Sequence, residues 1–486
     1  MKFKILSLIL FVLTINLNAQ YSTPNTGVNW TLDDIATNSP STVTVSGNEY
    51  TLHENLLVEE NDSLSLDEDL TLKIAAGVEI EVEGYFSSDA DEITITAVDT
   101  ENPYEGFWFY ETAEVYFNNT LVEYGGGLKV VTPNFVMENS EVSNNVSGSS
   151  TGGAISFSNG SPVIQNSVFK FNENPALSSG ANTSVSAQIL NNYFEGNNTT
   201  NNNRPQLNMG PSGEADSIRI INNTVIGNRD LTMVGGISAS SLIGVENKIL
   251  IDGNTVRDNR YGIASLGAST GIIRNNIIED NNTENAPMNG GSGINLFSTD
   301  IVYVTNNQIR RNLWGITMQG TAHANLGSDD TADFNPGGNV FSDNGNGGVT
   351  YALYNNTPNE VKALHNCWIE GQESTYEQVE DVISHVVDDE TLGEVFFDPF
   401  DCGIVMATND LNDKAFKIYP NPAKNSFFIE TKENGKFKIY DLNGKLVQTS
   451  DLNSGKNQIQ IRLAKGIYVV EVEYNGTKSA EKLIVR

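Results

Sequence analysis

NNYFEGN (Asn191–Asn197), NNTVIGN (Asn222–Asn228), GNTVRDN (Gly253–Asn259), NNIIEDN (Asn275–Asn281) and NNQIRRN (Asn306–Asn312) are variants of one phrase. Anchored on the Asn or Ser before each apolar position, the phrase runs Asn119, Ser140, Asn166, Asn192, Asn223, Asn254, Asn276, Asn307, Asn339 and Asn366. The mean period is about 27 residues, and self-similarity at that spacing marks a fold of stacked repeats.

Two residues after each anchor stands an apolar side chain: Leu121, Val142, Val168, Phe194, Val225, Val256, Ile278, Ile309, Phe341 and Trp368. Three residues before it stand Tyr116, Met137, Val163, Ile189, Ile220, Ile251, Ile273 and Val304, with Pro336 and Ala363 as late exceptions. A third alternating run follows in each repeat, as in GIAS at Gly262–Ser265 and GINL at Gly293–Leu296. These runs are short and rich in β-branched residues, so they read as strands. Three strands per turn, parted by Asn and Gly corners, describe an all-β parallel helix. Asn suits the corners because it tolerates left-handed backbone angles, and identical amides about 4.8 Å apart can bond along the stack. A second column, five after the anchor, holds Asn145, Asn197, Asn228, Asn259, Asn281, Asn312 and Asn344, with Tyr124 and Phe171 as breaks.

The repeat and its corners, from Asn119 to Phe400, resemble those of right-handed parallel β-helix proteins, relatives by fold of pectate lyases and polygalacturonases. The resemblance implies a fold rather than an activity. Asn366-Cys367-Trp368, the acidic run Glu377–Val387 and Asp398-Pro399-Phe400 resemble that family's closing coil, with a capping helix expected over 377–387. Cys367 and Cys402 lie in this segment; a pinning disulfide and two buried thiols both suit them.

Met1–Ala19 has the basic start, apolar run and small-residue end of a signal peptide. Residues 20–49, with Thr31 capping a short helix, read as an N-terminal cap, and residues 50–406 as the β-helix with its closing coil. Residues 407–414 are a polar linker. No later apolar run reaches the ~20 residues of a membrane-spanning helix.

Composition changes after the linker. The chain carries a net charge of −33, but Lys414–Arg486 has 13 Lys and Arg against 7 Asp and Glu. Hairpin-like strands here predict a small antiparallel Ig-like sandwich over residues 415–486. Tyr419-Pro420-Asn421-Pro422, Ile439–Lys445, Lys465–Tyr468 and Lys482–Val485 resemble the type A sorting domain of the type IX secretion system of Bacteroidota. The resemblance implies the secretion machinery as partner and the cell surface or exterior as destination. The strongly acidic remainder argues against nucleic acid.

Loops vary most before the third strand, so a binding cleft is expected along that strand. Its inward residues are Leu128, Ile155, Leu177, Leu207, Ile237, Ile263, Ile294, Ile316 and Val349. The outward ones are Lys129, Ser156, Ser178, Asn208, Ser238, Ala264, Asn295, Thr317 and Thr350. Small neutral groups can hydrogen-bond sugars but move no protons at neutral pH, so no catalytic residue is assigned and non-catalytic glycan binding or adhesion is the first reading. Trp108 and Tyr110, one coil before Lys129, offer faces for sugars. At the second corner stand Arg257, Asp258, Glu279, Asp280, Arg310 and Arg311. Calcium between Asp258 and Asp280 and a solvated ladder of alternating charge are the two readings there. The same corner would serve the alternative function, a lyase or glycoside hydrolase acting on an acidic polysaccharide. Thr321–Asn335, with His323, Asp329, Asp330 and Asp333, reads as a turn rather than a metal loop.

Overall fold

The computed structural model describes residues 20–284, 290–402, 416–419, 421–441, 445–474 and 477–485; the signal-peptide and linker readings lie outside these. The described residues fall into two compact units, one of stacked coils and one near the C-terminus.

In the first unit one face is a parallel sheet of fourteen strands, from Gln20–Ser22 through Leu128–Val130 to Ile383–Ser384, and the other strands form the remaining faces. Register is continuous: Phe107, Leu128, Ile155, Leu177, Leu207, Ile237, Ile263 and Ile294 lie side by side and buried. Their side chains meet those of the other faces in one core, aromatic in the early coils, where Phe86, Phe107, Phe109 and Phe117 pack with ring centroids 5.0–6.4 Å apart. Later coils substitute Ile, Val and Leu.

The corners are built from two residues with separate tasks. The left-handed residue is the one before the amide: Asn191, Asn222, Asn275 and Asn306 have φ of 55–57°. The amide residue itself is buried and bonds along the stack. Asn254 Nδ2 donates to Ile220 O (2.8 Å) and Asn276 Oδ1 (2.9 Å), while Asn254 Oδ1 accepts from the main-chain N–H (2.9 Å) and Nδ2 (3.0 Å) of Asn223. The pattern continues through Asn276, Asn307 and Asn339 to Asn366.

This division of labour corrects both columns. Asn119 and Asn166 are left-handed residues, not anchors; Thr120 and Ser167 hold the amide position, and their hydroxyls belong to a column with Ser140. Val122, Phe169, Phe117 and Ile164 therefore point inward, whereas Leu121, Val168, Tyr116 and Val163 are only half-buried. Tyr124 and Phe171 are not breaks, because they occupy the left-handed position (φ 54° and 53°) and Asn172 continues the second ladder. Asn228 does leave that ladder and is exposed. Gln206, reaching in from the third strand, replaces it: its Oε1 accepts from Asn197 Nδ2 (3.1 Å) and its Nε2 donates to Asn259 Oδ1 (3.0 Å).

Two further expectations shift. Leu353 and Tyr354, not Val349 and Thr350, continue the third strand, because a hairpin of Gly345–Asn346 with Val349–Thr350 interrupts it. The closing helix spans only Tyr376–Glu380, capped by Thr375 and Gln378, since Ile383–Ser384 is claimed by the parallel sheet.

Both ends of the stack are closed. Thr31 and Asp34 form a capping box for helix Leu32–Asn38, and Gln20–Ser22 already pairs with Asn55–Val58, so the N-terminal segment contributes a strand as well as a lid. Asp62 fastens it, accepting from the main-chain N–H groups of Asn25, Thr26, Gly27 and Val28 at 2.8–3.0 Å. Burial alone would raise the Asp62 carboxyl; these donors and Thr23 outweigh it and hold it at about 2. At the far end Cys367 and Cys402 are disulfide-bonded.

The second unit is a sandwich of a three-stranded and a four-stranded antiparallel sheet around Phe427, Ile429, Phe437, Ile439, Val470 and Leu483. Asn421 links two of its phrases: its side chain donates to Lys482 O (2.7 Å) and accepts from Ile484 N–H (2.8 Å).

The ladders set a graded expectation. Asn254→Leu and Gln206→Leu each strand buried N–H and C=O groups and should cost about 1–3 kcal/mol. Asn228→Leu, at the repeat-equivalent position of the phrase, should change stability by less than ~0.5 kcal/mol. Thermal melts of the three variants check this; equal effects would contradict the assignment of the ladder.

Candidate functional site

The outward row of the fourteen-stranded sheet carries the expected side chains in register from Trp108 and Lys129 through Ser156, Ser178, Asn208, Ser238, Ala264 and Asn295 to Thr317, with Glu81 before them and Tyr354 in place of Thr350 after them. In its middle, three hydroxyls are buried and turned to the chain itself. Ser178, Ser238 and Thr317 are only 4–5% exposed. Their hydroxyls are engaged with Ser156, Ser240 and Ser292 at 2.7–3.2 Å.

Its N-terminal end is different. Trp108 and Tyr110 project from one strand two residues apart, and their rings stack with centroids 5.0 Å apart and planes 10° from parallel. Lys129 Nζ lies 3.2 Å from the Trp108 ring centroid, a cation–π contact across the coil. Tyr110 donates its hydroxyl to Glu81 Oε2 (2.6 Å), and burial together with this bond raises the phenol, so it remains a donor. An open groove of about 360 Å³ is lined by Glu83, Trp108, Tyr110, Glu111, Thr112 and Val131. Glu79, on the same strand as Glu81, accepts from Ser149 Oγ (2.6 Å); burial is the main cause that raises its carboxyl. Glu83 is raised too, by burial and then by Glu59, Glu60 and Glu81.

A second aromatic group escaped the sequence reading. Trp314 packs on Tyr351 (4.3 Å between centroids) and Tyr354 (5.3 Å) near the other end of the same sheet. Placing Val349 in the strand hid it, because Tyr354 then fell outside the outward row.

Arg257, Asp258, Asp280, Arg310 and Arg311 lie away from this groove, at the second corner, and pair with carboxylates or with one another. Arg311 binds Asp280 through Nε (2.9 Å) and Nη2 (2.8 Å) and reaches Glu279 (2.7 Å). Asp258 receives Arg229 (2.9 Å) and Arg257 (2.8 Å). Arg310 forms a two-pronged contact with Glu370, both bonds 2.7 Å. The carboxylates offered for calcium thus face guanidinium groups, and no cluster of three or more His, Cys, Asp or Glu suited to a metal occurs among the described residues. The segment 321–335 is not a turn throughout, because His323–Gly327 is a strand of the parallel stack; in the turn after it, Lys362 holds Asp333 (2.8 Å) and His365 holds Asp329 (2.9 Å).

Comparison with family models matches residues 207–375 to the right-handed beta helix region and residues 417–486 to the secretion system C-terminal sorting domain. The chain is a right-handed β-helix with a type IX sorting tail. Comparison with curated proteins found no match, and neither did comparison with solved structures. The sorting domain places this β-helix protein on the route to the cell surface or the extracellular space. No helix among the described residues is long and apolar enough to cross a membrane.

Removing Ala415–Arg486 should leave the β-helix folded, since its core is complete without the tail, but retained inside the outer membrane. Cell fractionation with surface proteolysis checks this; undiminished surface display would contradict the role of the tail.

Proposed function

We propose that this exported β-helix protein binds glycans at the Trp108–Tyr110 end of its fourteen-stranded sheet and does not itself cleave them. The observation that carries the reading is the stack of two parallel, half-buried rings beside an open groove. Sugar rings present apolar C–H faces that pack on such platforms, while Glu83, Glu111 and Thr112 supply hydrogen-bonding groups for hydroxyls. Ser178, Ser238 and Thr317 in the middle of the row are buried and self-paired, which favours this end for a ligand. The second corner, with its Arg–carboxylate pairs, favours a structural charge ladder over an ion or uronate site.

One observation favours a second reading, glycoside hydrolysis. Glu79 and Glu81 lie two residues apart on one face of one strand, so two carboxyl groups project side by side beside the groove, the kind of pair that glycoside hydrolysis uses. Burial raises Glu79, as a general acid requires, and Glu81 sits against the aromatic platform.

Full-length protein applied to a glycan array and then to gels containing the retained polysaccharide separates the two. Binding predicts retention without new reducing ends, weakened about 3–10-fold by Trp108→Ala at unchanged melting temperature. Reducing ends that vanish in Glu81→Gln would install hydrolysis instead, and absence of retention would contradict both.

A further inference from the structure

The groove also bears on which glycan it takes. Resting on the binding reading above, we propose that the Trp108–Tyr110 groove selects glycans bearing free, protonated amino groups over neutral N-acetylated or uronic ones. The first observation is what the Trp108 face already holds: an ammonium, that of Lys129, 3.2 Å from the ring centroid. An indole face that accepts a primary ammonium from its own chain is chemically suited to accept one from a sugar alongside it.

The second observation is the charge around the rings. Glu83 and Glu111 line the groove itself, and Glu81 touches the Tyr110 hydroxyl. Glu79 stands one outward position before Glu81 on the same strand, with Glu59 and Glu60 near enough to raise Glu83 by repulsion. Against these carboxylates Lys129 sets one ammonium. A uronate entering the groove would add to a repulsion that the chain already bears. An amino sugar would relieve it, because its ammonium places a counter-charge beside carboxylates of which Glu79, Glu81 and Glu83 are half-buried, where water screens poorly. The corner carboxylates differ in this respect: Arg311 answers Asp280 and Arg257 answers Asp258.

Isothermal titration of the full chain with three hexasaccharides, of glucosamine, N-acetylglucosamine and galacturonate, at about pH 5.5 tests the assignment, since sugar amines are then protonated and most carboxylates still ionised. The glucosamine hexamer should bind about tenfold or more tightly than its acetylated counterpart, and the galacturonate hexamer more weakly than both. Raising salt from about 0.05 M to 0.5 M should erase the preference without erasing the binding of the acetylated hexamer. Glu83→Gln with Glu111→Gln should shrink the preference at least threefold, while Trp108→Ala should weaken all retained hexamers together. Equal affinity for free-amine and acetylated hexamers, or a preference for galacturonate, overturns the inference and leaves the platform reading standing. Absence of binding by all three overturns both.

Discussion

The structure depends on a hydrogen bond repeated from coil to coil, the side-chain amide of one corner satisfying the main chain of the coil before it. A stack of parallel strands solves its own hydrogen bonding along the flat faces, but a sharp corner turns main-chain N–H and C=O groups out of line. Asn repairs this with one side chain, accepting two bonds from the previous coil and donating one back into it and one onward. Because each amide is buried, an unfilled corner would leave polar groups without water, at a cost near that of a lost hydrogen bond. The constraint therefore acts on every coil. Where the second Asn of the phrase, Asn228, leaves the ladder, the fold recruits Gln206 from the start of the third strand rather than leave the position empty.

That constraint explains why the architecture was so legible. Period, strand number and the inward columns follow from residues that must recur in register, so the stack could be read from the phrase and its apolar neighbours. What was misread follows from the same physics. A corner needs a left-handed residue and an amide residue in succession, and both tasks suit Asn, so in the run Asn118-Asn119-Thr120 sequence alone does not say where the left-handed residue falls. At Ser140 and Ser167 a hydroxyl performs the amide's accepting task, and with Thr120 and Ser167 in place of an Asn the apparent anchor moved by one to Asn119 and Asn166. The acidic segment near residue 380 has helical spacing, but the parallel sheet's demand for a last strand at Ile383–Ser384 overrides it.

The candidate site was only half legible, and the boundary falls where the repeat becomes irregular. Trp108, Tyr110 and Lys129 could be placed together because alternation within a strand and pairing to the next coil are local rules. Glu79, Glu81 and Glu83 belong to early coils that lack the phrase, and their approach to the rings emerges only from three-dimensional register. Trp314 and Tyr354 were separated by a hairpin insertion. A rigid stack fixes side chains of neighbouring coils about 4.8 Å apart, so it can hold aromatic and acidic groups in place without a mobile loop. A platform of that kind, on a chain whose tail sends it out of the cell, suits contact with an extended polymer more than a buried transformation of a small molecule.

Residue-resolved hydrogen–deuterium exchange of the main-chain amides at Asn192, Asn223, Asn254, Asn276, Asn307 and Asn339 probes the ladder most directly. In the structure each of these amides is buried and bonded to the side-chain oxygen of the next coil. They should exchange as slowly as the amides of the adjoining strands, although they lie in turns. Exchange at the rate of exposed loops, with the strands still protected, would contradict the claim that these amide columns hold the coils together.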